Sequence, residues 1–311
     1  MSPSLGYLLP TRENIMNNQS SGRALLDGAR MAAGLGFESV WAGDSLLARP
    51  RHDPLTLLSA VAGAINHIEI GTAVLLPVLR NPVVLAQQLA TLDQLSEGRF
   101  IAGIGIGADN PSIRNEFRAA GVSFERRIGT LMESFRLWRA LWSGESVSWD
   151  GRWQVEGELA PRPFGNGGPR IWLGTGVASG VERAARYFDG WIPLGPDAET
   201  FGQRGEAYRN TLRLRGRSAN DMTMAIYLTV AVMEDAVVAE QTINDYLERY
   251  YSVPATAIRK VQACCGGPLS QVLTFIQDFV TRGAQHIVLR VVGNHEKTLA
   301  QIAANRDELA G

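Results

Sequence analysis

Short β-type runs alternate with helical patterns along almost the whole chain, and this alternation constrains the fold more than any other feature. Eight apolar, strand-like runs are present, each followed by a helical pattern. They are SLGYLLP, FESVWAGD, HIEIGTAVLLP, RFIAGIGIG, RIWLGTG, DGWIPLG, MTMAIYLTVAVM and QHIVLRVVG. Repeated β-α units without a break in composition predict a (β/α)8 TIM barrel, with residues 1–311 forming a single domain.

Several helices carry start signals in the sequence. Asp53-Pro54 and Asn81-Pro82 each place a capping side chain before a proline in the first helical position. Residues 21–34 have an amphipathic pattern, and residues 124–142 form a long helical pattern. Residues 144–168 lose all periodicity, so we expect them to leave the core as an insertion, with Trp149 and Trp153 either lining a lid or anchoring the insertion.

A glycine-rich run, GRFIAGIGIGADN at residues 98–110, raises a competing hypothesis. It resembles a dinucleotide-binding loop, which would imply an open doubly wound sheet. However, the glycine spacing is G-x-G-x-G, the run lies in the fourth β-α unit, and no acidic residue closes a strand about 20 residues later. In a barrel strand, alternating glycines instead leave one face bare, either beside a flat ligand or opposite larger side chains.

Composition excludes several classes of function. The chain is 45% hydrophobic and 20% charged, with a net charge of -1, so no basic surface for nucleic acid is expected. No run approaches the length of a membrane span, and the first residues lack a signal-peptide pattern. The adjacent Cys264 and Cys265 are unsuited to a structural disulfide and are expected to fill apolar space, which favours a cytoplasmic protein. The four scattered histidines have no metal-binding spacing.

The chain resembles the bacterial luciferase-like monooxygenase family of flavin- and deazaflavin-dependent oxidoreductases. The matching pieces span most of residues 5–195. They are ARMAAGLGFESVWAGD, IEIGTAVLLPVLRNPVVLAQQLATLDQLSEGRFIAGIGIG, FERR, LWRALWSGESVSWDGRW, PRIWLGTG and AARYFDGWIP. The resemblance implies a barrel with an insertion before the fifth strand. It further implies a homodimer, a small organic substrate and reduced FMN or deazaflavin (F420) at the C-terminal mouth, with the possibility that a separate reductase supplies the reduced cofactor.

The resemblance also implies roles for residues near the ends of the second and third strands. Many family members have a histidine after the acidic residue of the second strand, but this chain has Asp44-Ser45. Asp44 and Ser45 are candidate catalytic residues, and His52 is a candidate replacement proton donor; equally, Asp44 can terminate the strand and His52 can be a surface residue. A non-prolyl cis peptide in the family's third strand points to Ala73 and Val74, with Leu75, as the backing of the cofactor ring.

Two further groups are candidate cofactor ligands. Gly105, Gly107 and Asp109 follow or belong to the glycine strand, where a turn is the competing interpretation for Asp109 and its neighbour Asn110. The loop LGTGVASG offers a phosphate site at the start of a helix, as barrel phosphate sites do. Its candidate ligands are Thr175, Gly176, Ser179 and Gly180. Arg80 can add positive charge or be solvated.

The sequence therefore favours a flavin-dependent oxidoreductase or monooxygenase acting on a small organic substrate. A deazaflavin-dependent hydride-transfer enzyme is one alternative. A barrel that binds flavin without catalysis is another, since the histidine of the motif is missing.

Overall fold

The computed structural model describes residues 2–19, 21–218 and 222–310. The strands are β1 (Ser4–Leu8), β2 (Ser39–Ala42), β3 (Glu69–Thr72), β4 (Phe100–Ile104), β5 (Val147–Asp150), β6 (Gln154–Gly157), β7 (Arg170–Leu173), β8 (Gly190–Trp191), β9 (Thr223–Val232), β10 (Cys264–Gly267) and β11 (His286–Val291). The helices are α1 (Thr11–Met16), α2 (Gly22–Gly34), α3 (Pro54–Ala64), α4 (Pro82–Leu95), α5 (Pro111–Ala119), α6 (Arg127–Leu141), α7 (Ala178–Tyr187), α8 (Ala198–Leu214), α9 (Ala236–Tyr251), α10 (Ala255–Arg259), α11 (Leu269–Thr281) and α12 (His295–Ala304).

The main sheet has the strand order β10-β9-β11-β1-β2-β3-β4-β7-β8, and β8 also pairs with β9. Eight parallel strands thereby close into a barrel with helices between them, as the alternation of the sequence predicts. By contact density the chain divides into two compact units, Met1–Trp41 with Trp172–Gly311, and Ala42–Ile171. The single-domain expectation stays a prediction, and residues 1, 20, 219–221 and 311 lie outside the described residues.

In the unit of residues 1–41 and 172–311, the long strand β9 organises the sheet. Along one edge it pairs with β11 from Ala225 to Val230. It also pairs with β8 at Thr223 and Met224 and with β10 from Thr229 to Val232. Strand β10 was not predicted from the sequence, because its residues, CCGG, have little strand propensity.

Tertiary packing explains the composition of β10. A Cβ added to Gly266 would lie 2.6 Å from the Ala239 carbonyl carbon, so a larger residue would collide with α9. Both cysteines are free thiols, and burial raises the pKa of Cys265 to about 11. A protonated, buried thiol agrees with the apolar role expected for this pair.

In the unit of residues 42–171, the predicted helix starts are confirmed. The Asp53 carboxylate accepts a hydrogen bond from the Thr56 N–H at 2.9 Å, and the Asn81 side chain accepts from the first turn of α4. The helix predicted over 124–142 is α6, which begins at Arg127. Helix α5 was not predicted, although Asn110-Pro111 repeats the signal found at the other two starts: the Asn110 side chain accepts from the Ile113 N–H at 3.0 Å.

Residues 144–168 are less irregular than the sequence suggested. Strands β5 and β6 form an antiparallel hairpin in which Trp149 pairs with Val155. The interpretation of this segment as an insertion stays a prediction.

Within the described parts of the chain, no helix is both long enough and apolar enough to cross a membrane.

Candidate cofactor site

Asp44, directly after β2, is a buried carboxylate whose two oxygens are both bound. Its side chain is 5% exposed. Oδ2 accepts from Arg80 Nη1 at 2.6 Å and from the Leu76 N–H at 2.9 Å, and Oδ1 accepts from Arg80 Nη2 at 3.1 Å. A bidentate pair of this kind fixes geometry as well as charge. Asp44 therefore ties the end of β2 to the segment after β3.

Arg80 extends this pair to the start of α3. Its Nη2 also donates to Asp53 Oδ2 at 3.0 Å. Burial alone would lower the pKa of Arg80, but the hydrogen bonds and charges of both carboxylates raise it overall. Burial alone would raise the pKa of Asp53, yet hydrogen bonds from Thr56 and Arg80 bring it below its ordinary value. Arg80 is thus an ion-pair partner and not the solvated arginine that the sequence also allowed.

The segment after β3 lies against the end of β4. The Leu75 N–H donates to the Gly103 carbonyl at 2.7 Å, and the Gly105 N–H donates to the Leu75 carbonyl at 2.8 Å. The peptide bond between Ala73 and Val74 is cis, as the family resemblance implies. Both residues are partly exposed, whereas the residues on either side are buried.

Because Gly105 has no side chain, the Val74 side chain can pack directly against it. A Cβ at Gly105 would lie 2.6 Å from Val74 Cγ2, too close for any real contact. The bare face of the glycine strand is therefore filled by Val74 at this position. Contact of Gly105 itself with a cofactor ring stays a prediction.

Gly107 and Asp109 both lie next to residues of helix α5. Gly107 has φ +75°, and an added Cβ would lie 3.0 Å from Ile113 and 3.2 Å from Phe117. Asp109 is exposed and pairs with Arg114, whose hydrogen bonds lower the pKa of Asp109. Backbone conformation and packing against α5 account for Gly107, and the ion pair with Arg114 accounts for Asp109. Contact of either residue with a cofactor stays a prediction.

Ser45 is held by a buried acid that the sequence did not single out. Its hydroxyl donates to Glu116 Oε2 at 3.0 Å and accepts from the Arg49 N–H at 2.9 Å. Glu116, fully buried in α5, also accepts from the N–H groups of Leu46 at 2.6 Å and Ala48 at 2.9 Å. This carboxylate pins the loop after β2, and Ser45 serves as part of that anchor. His52 lies further along the same connection and is partly buried.

A model of the luciferase-like monooxygenase family matches residues 4–310 of the chain. The chain belongs to this family. Among curated relatives, the F420-dependent glucose-6-phosphate dehydrogenase of Mycobacterium avium (strain 104) is 26% identical over 280 residues, which covers 81% of this chain and 82% of that protein. Membership of the luciferase-like family identifies the chain as an oxidoreductase at the level of enzyme class.

Solved structures have the same fold. An F420-dependent secondary alcohol dehydrogenase in complex with an F420-acetone adduct superposes with a TM-score of 0.81 at 19% identity, covering 100% of both chains. The monooxygenase RslO1 from Streptomyces bottropensis superposes with a TM-score of 0.81 at 22% identity, covering 97% of this chain and 98% of its own. At these identities the likeness concerns the fold.

The predicted phosphate loop of this luciferase-like protein belongs to the unit of residues 1–41 and 172–311. The Thr175 carbonyl accepts a hydrogen bond from Trp191 Nε1 at 2.8 Å. A Cβ at Gly180 would lie 2.0 Å from Thr175 Oγ1, so close packing requires glycine there. No side chain caps the N-terminus of α7, which follows Val177. Phosphate binding by Thr175, Gly176, Ser179 and Gly180 stays a prediction.

Proposed function

We propose that the protein is a deazaflavin-dependent oxidoreductase that transfers a hydride between F420 and a small organic substrate. The F420-dependent relatives support this choice over FMN. Their named substrate, glucose 6-phosphate, is one possibility among small organic molecules. A homodimer and a separate supplier of reduced cofactor belong to the same proposal.

One observation carries the proposal: the segment of Ala73 and Val74 is partly exposed and is supported on two sides. Val74 is seated on the bare Gly105, and the next segment is tied to Asp44 through the Leu76 N–H. The partial exposure of Ala73 and Val74 supports a planar ring lying against this segment. The residues present therefore suit a flavin-type ring.

The protein's part in the reaction is orientation. When bound, the deazaflavin supplies hydride chemistry. Ala73 and Val74 would back its ring, and the ion pair between Asp44 and Arg80 would hold that backing in place. Thr175, Gly176, Ser179 and Gly180 would hold its phosphate through backbone N–H groups and the dipole of α7.

Asp44 and Ser45, which follow the second strand, give little support for a role in proton transfer. Both oxygens of Asp44 accept hydrogen bonds, and the Ser45 hydroxyl donates to Glu116. Neither group is placed to pass a proton freely. His52 remains the candidate donor, since histidine is the side chain that most often acts as a general acid or base.

An FMN-dependent monooxygenase is the second candidate. The description of the matching family model, luciferase-like monooxygenase, supports it. A barrel that binds the cofactor without turnover is the third.

A titration of the purified protein with F420 and with FMN, followed by ring fluorescence, tests the proposal. We expect F420 to bind at least tenfold more tightly. The matched control is Val84→Ala, an exposed change on α4 that should leave both affinities unchanged. Tighter binding of FMN would favour the second candidate, and binding of neither cofactor would contradict the proposal.

A further inference from the structure

Arg290 is a buried cation near the C-terminal end of β11. Its side chain shares a strand face with that of His286, because side chains four residues apart in a strand point the same way. The His286 ring contacts Trp41 at 5.4 Å and Trp172 at 5.3 Å between centroids. These rings come from strands β2 and β7, so this face of β11 is the inner one, and Arg290 is 1% exposed there.

Among the described residues, every side chain that accepts a hydrogen bond from Arg290 is neutral. Nε and Nη2 donate to Thr229 Oγ1 at 3.1 and 2.9 Å. Nη2 also donates to Gln262 Oε1 at 2.6 Å, and Nη1 donates to the Tyr251 hydroxyl at 2.9 Å. Nη1 carries two N–H groups, and the second has no acceptor within residues 2–19, 21–218 and 222–310.

Tyrosine rings surround the guanidinium. The ring centroids of four tyrosines lie 5.0–5.6 Å from Cζ, within the range of cation–π contact: Tyr227, Tyr246, Tyr250 and Tyr251. No carboxylate of the described chain lies within 4.0 Å of Arg290. Glu13 joins the cluster through Tyr246, whose hydroxyl donates to it.

This arrangement leaves a charge without a direct counter-charge. An arginine stays protonated in proteins, and burying a charge is costly unless an opposite charge offsets it. Neutral acceptors satisfy the other N–H groups, but neither these acceptors nor the aromatic faces cancel the charge. A spare donor and an unbalanced positive charge together suit an anion.

We propose that Arg290 recognises an anionic oxygen group, a carboxylate or a phosphate, on the organic substrate. The assignment to the substrate rests on the proposed function, since catalytic sites of (β/α)8 barrels lie at the C-terminal ends of the strands. Arg290 is then a specificity-determining residue that selects anionic over neutral substrates. Its fork-shaped guanidinium suits such groups better than an ammonium would.

Calorimetric titration of the full-length, cofactor-free protein with benzoate and with its neutral isostere benzamide tests the charge preference, with inorganic phosphate as a second anion. We expect benzoate to bind at least tenfold more tightly than benzamide. Arg290→Gln should abolish that preference, and Arg290→Lys should keep part of it. Equal affinity for benzoate and benzamide in the wild-type protein would overturn the proposal.

A variant at a buried hub can also fail to fold, so circular dichroism is recorded for each. If Arg290→Gln does not fold, the preference of the wild-type protein for benzoate over benzamide tests the proposal. Tyr251→Phe is the matched control: it removes one neutral acceptor but keeps the charge, so the preference should change less than threefold. A folded Arg290→Gln protein with an unchanged preference would refute the role of Arg290.

A repeat with saturating F420 separates the substrate from the cofactor as the source of the anion. Retained benzoate binding supports a substrate site, and strict competition would assign the charge to the cofactor and overturn the proposal. If F420 does not bind at all, the proposed function fails, while a benzoate preference lost in Arg290→Gln still supports an anion site.

Discussion

At the scale of single residues, the ion pair between Asp44 and Arg80 is the most consequential contact of the candidate site. Its position after β2 predicts a catalytic role for Asp44, and in the structure both of its oxygens accept hydrogen bonds, from Arg80 and from the Leu76 N–H beside the proposed cofactor backing. These contacts give Asp44 a positioning role in the fold, and its catalytic role stays a prediction.

Asp44→Asn should destabilise the protein and weaken cofactor binding. Removing one partner of a buried pair leaves the other charge poorly compensated, which costs about 3 kcal/mol. Urea unfolding measures this cost, and fluorescence titration measures the affinity. Asp53→Asn is the control, because Asp53 is 47% exposed and its loss should cost less than about 1 kcal/mol. Equal costs for the two variants would contradict the assignment.

His295 should make stability depend on pH. Burial lowers the pKa of His295 below its ordinary value, although Glu13 opposes the shift. The imidazole of the unfolded chain therefore takes up a proton first as the pH falls below about 6.5. The free energy of unfolding should be highest above that pH and decrease as the pH drops toward the folded pKa.

The check is a series of urea unfolding curves between pH 8 and pH 5. His295→Gln, which keeps an acceptor for the Tyr7 hydroxyl, should have a flatter profile in this interval. Identical slopes in the two proteins would show that another group is responsible.

At the scale of elements, Glu116 connects α5 to the loop after β2. Replacing it by Gln removes an acceptor and sets an NH₂ group against buried donors, at a cost of about 2–3 kcal/mol. We expect the amides of Leu46 and Ala48 to exchange with solvent at least tenfold faster, as measured by hydrogen exchange. Glu125→Gln, at a side chain that is 71% exposed, should leave these amides unchanged.

Gly105 and Val74 form a matched pair between β4 and the segment after β3. Gly105→Ala should cost about 1–3 kcal/mol, since its Cβ collides with Val74. Val74→Ala in the same chain should recover most of that loss, because the colliding methyl is removed. Additive losses in the double variant, measured by thermal unfolding, would mean that the two side chains do not compete for space.

At the scale of the whole molecule, the proposed cofactor should act as a stabilising ligand. A ligand that binds only the folded state, present at one hundred times its dissociation constant, raises the free energy of unfolding by about 2.7 kcal/mol. Urea unfolding with and without F420 measures this shift. A phosphate-free deazaflavin at the same concentration should have a smaller effect if the loop of residues 175–180 binds phosphate.

The sequence alone determined the features that depend on local periodicity and local caps. The alternation of strand and helix led to the barrel, and Asp53-Pro54 and Asn81-Pro82 marked helix starts, because backbone preferences act over a few residues. The same signal at Asn110-Pro111 would have located α5.

Tertiary structure alone decided which side chains meet. Glu116 lies 71 residues from Ser45, and Arg290 lies 28 residues from Gln262 and 61 from Thr229. Nothing local in the chain marks a buried carboxylate or guanidinium, since the stability of each depends on donors, acceptors and ring faces brought from distant elements. Strand β10, with the sequence CCGG, also depends on tertiary structure. Packing against α9 and pairing with β9 override its weak strand propensity.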